Sequence, residues 1–112
     1  MPMNKEVDQA MRITADFAER IKNGRGFNYE HVKAEIEKRN QENGTHVGPD
    51  QVLYWALVTG SERLTGLLFD NVIDELEEDA NNSKSPQVAQ TIRLVRSTLL
   101  EIRTLSGLKK LN

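Results

Sequence analysis

Apolar residues recur along this chain at helical spacing, in runs separated by glycine, proline and asparagine. The clearest run is the last. From Ser85 to Ser106 the positions Val88, Ile92, Val95, Leu99 and Ile102 alternate steps of four and three, a coiled-coil-like stripe on one long helix. Ser85 and Pro86 suit its cap and first residue, and Gly107 ends it. Leu108 to Asn112 then form a short basic tail.

Working back from that helix, residues 61–80 carry Leu64, Leu67, Leu68, Phe69, Val72, Ile73 and Leu76, which cover more than half of a helical circumference. A helix of this kind is buried on more than one side, so it is expected at the centre of the fold or against a second subunit. Residues 4–23 form the first helix, expected to bury Val7, Met11, Phe17 and Ile21 with Ala10 and Ala18. Residues 28–43 form the second, a surface helix held by Tyr29, Val32 and Ile36 amid dense charge.

The run Val52 to Val58 reads equally as a buried strand or a buried helix from its hydrophobicity alone. Pro49 and Asp50 ahead of it and Gly60 behind it punctuate a helix over 49–59, and no other segment alternates in a way that would pair with a strand. The expected fold is therefore all-α: a compact bundle of about five helices with a long amphipathic C-terminal helix, in a single domain over 1–112. Neither an internal repeat nor an interdomain linker is visible.

Composition narrows the chemistry. Aromatic residues make up 5% of the 112, which leaves the core to Leu, Val and Ile. Cysteine is absent, so disulfides, thiolate metal sites and thiol nucleophiles are excluded, and a reducing compartment, the cytoplasm, is the expected location. The N-terminal residues hold no signal-peptide core, and Val52 to Val58 is too short to span a bilayer, so no membrane partner is expected.

The formal net charge of −2 conceals an asymmetry. Residues 61–83 set seven acids against Arg63, a net −6, whereas residues 84–112 set six bases against Glu101, a net +5. Opposite halves of this kind pair with each other or with an external partner.

Catalytic constellations are not evident, and no catalytic, cofactor-binding or metal residue is assigned; no cofactor is expected. His31 and Glu35 have one-turn spacing but lack further ligands in sequence, and His46 falls in a turn. Asp70, Asp74 and Glu78 line up one turn apart, as carboxylates do in some magnesium-dependent helical hydrolases, yet a second facing set of acids is not identifiable. Neither a Gly-rich phosphate loop nor a nucleophile elbow is present. Residues 28–59 have the order of a helix-turn-helix, but a recognition helix must present polar side chains to bases, and Val52 to Val58 is apolar on every side. Tyr54 and Trp55, in the middle of that run, read as stacking residues or an interface anchor or as core residues, and the core is the expected place.

These patterns lead to three expectations of function. The first is a small non-enzymatic helical protein acting by protein–protein interaction, as a homo-oligomer or with another protein, through Val88, Ile92, Val95, Leu99 and Ile102. The second is a DNA-binding accessory or regulatory protein that uses the cationic strip Arg93, Arg96, Arg103, Lys109 and Lys110 against phosphates. The third is a magnesium-dependent hydrolase that uses Asp70, Asp74 and Glu78.

Overall fold

A computed structural model describes residues 4–24, 26 and 28–105. Five helices follow one another: α1 (Lys5–Lys22), α2 (Tyr29–Asn43), α3 (Pro49–Thr59), α4 (Glu62–Asn82) and α5 (Pro86–Leu105). There is no strand among the described residues. The chain is an all-α bundle, compact at 42 × 36 × 32 Å.

Local chemistry sets the helix ends. Asn4 and Asn28 cap α1 and α2, each accepting from a backbone N–H of the first turn, Glu6 at 2.8 Å and His31 at 2.9 Å. Gly44 closes α2 at φ +63°, a left-handed conformation that a side chain would strain. Pro49 occupies the first position of α3, where its missing N–H costs nothing. Tertiary packing then confirms the helical reading of Val52 to Val58, because α3 touches all four other helices and buries Val52, Leu53, Ala56 and Leu57 among them.

α4 also meets every other helix, and it buries Leu64, Leu68, Val72 and Ile73 on the inside. α5 packs antiparallel along it: Asn81 meets Arg93, Glu77 meets Arg96, and Phe69 lies under Arg103, each step down α4 matching a step up α5. α2 is attached by only Val32 and Ile36 in the core, and by polar ties at its flanks. Arg39 pairs with Asp16 and Arg20 with Glu35 across to α1, and Tyr29 and Lys33 both reach Glu75 of α4.

The inward face of α1 differs from its expected one. Ile13, Thr14 and Gln9 are buried beside Ala10 and Phe17, whereas Met11 is exposed. The core face is centred between Ala10 and Ile13, and Met11 lies a helical step to one side of it, where the Thr14 hydroxyl can turn inward by donating to the Ala10 carbonyl at 2.7 Å.

Candidate functional site

The α5 stripe is divided by the packing. Leu99 is 2% exposed in the core, and Val95 and Ile102 are half-buried against it. Ile92 is half-buried, and Val88, in the first turn, is 51% exposed. Residues one position away, about 100° round the helix, face outward instead: Leu94 is 66% exposed, and Thr98 lies on the same side.

The arginines of the cationic strip are drawn onto α4. Arg96 lies 3.0 Å from Glu77, Arg93 donates to the Asn81 side-chain oxygen at 3.2 Å, and Arg103 sits 4.2 Å over the Phe69 ring. Lys109 and Lys110 lie outside the described residues. Asp70, Asp74 and Glu78 are exposed on α4, and among the described residues no three His, Asp or Glu side chains converge as a metal site would require. His31 and His46 are exposed.

A groove of about 650 Å³ runs between the start of α1, the start and outer face of α3, and the middle of α5. Its apolar surface comes from Val7, Tyr54, Trp55, Leu94, Val95 and Leu99, with Thr98 beside them. Tyr54 does not fill the core as expected: it is 38% exposed, because the buried side of α3 is taken by Val52, Leu53, Ala56 and Leu57, leaving residue 54 turned outward. Trp55 is half-buried, packed against the core, and meets the Tyr54 ring edge-on at 5.1 Å between centroids. On its other side Trp55 borders a smaller hollow with Met11, Ala15 and Thr59, so the apolar surface continues across α1.

One end of the groove is acidic, with Glu6 and Asp50 beside Asn4 and Gln51. Glu6 accepts from the His46 N–H at 2.6 Å. Asp50 stands in the first turn of α3, where the backbone amides of residues 50 and 51 favour its charged form, in space that Gly48 leaves free. A Cβ on residue 48 would stand 2.5 Å from the Asp50 carboxylate oxygen. Burial, reinforced by nearby Glu75, pushes the Asp50 pKa above its ordinary value despite those two amides.

Behind this end, Glu75 accepts from the Tyr29 hydroxyl at 2.9 Å and from Lys33 at 3.0 Å. Burial and the bond to Glu75 raise the Tyr29 pKa, and the same carboxylate raises that of Lys33. Each group is thus held in its protonated form, which suits a tie between α2 and α4 better than proton transfer.

The groove is less legible in sequence than the stripe beside it. A second spacing, Thr91, Leu94, Thr98 and Leu105, marks an outward face, but two of its members are threonines and the charged Glu101 falls between the last two. The pairing of Gly48 with Asp50 is a local signal for a fixed carboxylate at the start of α3. No helix among the described residues is long and apolar enough to cross a membrane. No protein-family model matches the chain, and no curated protein or solved structure matches it significantly.

Proposed function

We propose that this chain is a small non-enzymatic helical protein that acts by protein–protein interaction, receiving an amphipathic helix of a partner protein in the α1/α3/α5 groove. The observation that carries this reading is the outward placement of Tyr54 and Leu94 beside half-buried Trp55 along an apolar groove. Contiguous apolar surface of this sort is costly to leave in water, and aromatic anchors in grooves dominate interface energetics. Three helices already form the walls, and a fourth packed on them would use the ridge-and-groove geometry of the bundle itself.

Trp55 is the sole tryptophan, so its emission reports occupancy directly. A neutral model helix with a Leu face and a Gln/Ala back is expected to shift that emission saturably, and Leu94→Ser with Tyr54→Ser to weaken binding by about tenfold or more. A wild-type chain whose emission never saturates would contradict the reading.

Self-association is a second reading, favoured by Val88, Leu94 and Leu105 all standing exposed along α5. Light scattering tests it: a homo-oligomer gives a multiple of 12.7 kDa that persists at high salt and is lost in Leu94→Arg. A single 12.7 kDa species at high micromolar concentration removes it. A nucleic-acid role for Arg93, Arg96 and Arg103 has less support, since each is engaged by α4.

A further inference from the structure

We propose that the helix received by the groove is basic at one end, and that Glu6 and Asp50 select it by pairing with a lysine or arginine there; this rests on the helix-docking reading above. Among the described residues no cation lines the groove. Asp8, Asp16, Glu30, Glu35, Glu75 and Glu77 have basic partners within 4 Å, whereas Glu6 and Asp50, like several acids on the outer surface, have no ion-pair partner among the described residues; what sets these two apart is that they line an apolar groove. Two carboxylates therefore stand at one end of an apolar groove with no ion-pair partner among the described residues.

Both acids are also held in place. A backbone N–H of the 44–48 turn fixes Glu6, and partial burial in the first turn of α3 confines Asp50, so little side-chain freedom remains to be lost on binding. Asp50 is partly desolvated, and a cation arriving beside it would favour the charged form that burial now disfavours. The faces of Tyr54 and Trp55 next to it suit the aliphatic stem and cationic head of such a residue. An acidic segment, or a nucleic acid, would meet like charge at the same place.

The test uses three versions of one amphipathic model helix, identical except for two positions near one end that are Lys, Gln or Glu, each titrated against the full chain with Trp55 emission as readout. The Lys version is expected to bind about tenfold tighter than the Gln version, with the Glu version weaker still, and the preference for Lys to shrink as salt is raised. Glu6→Gln and Asp50→Asn should each reduce the ratio of Lys-version to Gln-version affinity. Glu6→Gln keeps the test decisive if Asp50→Asn disturbs the start of α3. Equal binding of Lys and Gln versions overturns this inference and leaves helix docking standing. Failure of all three versions to bind overturns helix docking itself. Concentration-dependent self-association that blocks every version would place a second copy in the groove and also overturn the inference.

Discussion

The guanidinium of Arg96 lies 3.0 Å from the carboxylate of Glu77, so the basic edge of α5 and the acidic edge of α4 meet within one chain. The pair is only part-buried, and an ion pair at this exposure contributes under about 1 kcal/mol. Glu77→Gln is therefore expected to lower stability by less than that in urea unfolding. It also leaves Arg96 without its anion, so duplex DNA binding that appears in Glu77→Gln and not in wild type would show that the pair restrains a cationic surface. Stability falling by several kcal/mol would contradict the exposed-pair description.

The divided stripe on α5 predicts unequal truncations. Leu99 is enclosed by the core, and Leu99→Ala should cost about 2–5 kcal/mol with an unchanged denaturant slope. Val88→Ala, at a half-exposed position, should cost under about 0.5 kcal/mol. Equal losses at the two sites would mean that the stripe acts as one surface.

Asp50 predicts a pH dependence. Burial first, and Glu75 after it, raise its pKa above the ordinary 3.8, so in the window between the unfolded and folded values the native chain holds a proton that the unfolded chain has released. Stability consequently falls as pH rises through that window, and the loss persists at neutral pH. Asp50→Asn removes the titration and keeps an oxygen over the helix start. Its urea midpoint should gain on wild type as pH climbs above the ordinary carboxylate range. A difference between the two that is constant with pH would contradict the assignment.

Asn40 organises the turn that delivers α3. Its side chain donates to the Val47 carbonyl at 2.9 Å and accepts from the Thr45 hydroxyl at 2.8 Å and the Val47 N–H at 2.9 Å. Asn40→Ala leaves these groups without partners and should cost about 1–3 kcal/mol. Asn40→Asp retains both acceptor bonds and should recover part of the loss. Hydrogen exchange at the Val47 amide checks the cause, since it should accelerate in Asn40→Ala even under conditions where global unfolding is negligible.

Helix order and type were legible because caps, glycines and period agreed at nearly every boundary. Pro49 and Gly60 identified α3 as a helix although its interior pattern did not, and the α4 pattern showed a helix covered on more than one side. Phase was harder to read. Met11 and Ile13 are both apolar, and which one faces inward depends on how α3 and α4 approach α1, a tertiary fact with no local signature. Tyr54 presents the same difficulty: in a run apolar on every side, period cannot name the residue left outside. The groove adds a further obstacle, since Glu6, Asp50, Trp55 and Leu94 come from three helices and converge only through packing.

The most direct measurement is an amide and indole chemical-shift map of the labelled full chain titrated with the neutral model helix. The account predicts saturable shifts at Val7, Gln51, the Trp55 indole, Leu94 and Thr98, with Asp70, Asp74 and Glu78 on α4 unmoved. Shifts centred on those α4 acids, or no saturable shift along the groove, would contradict it.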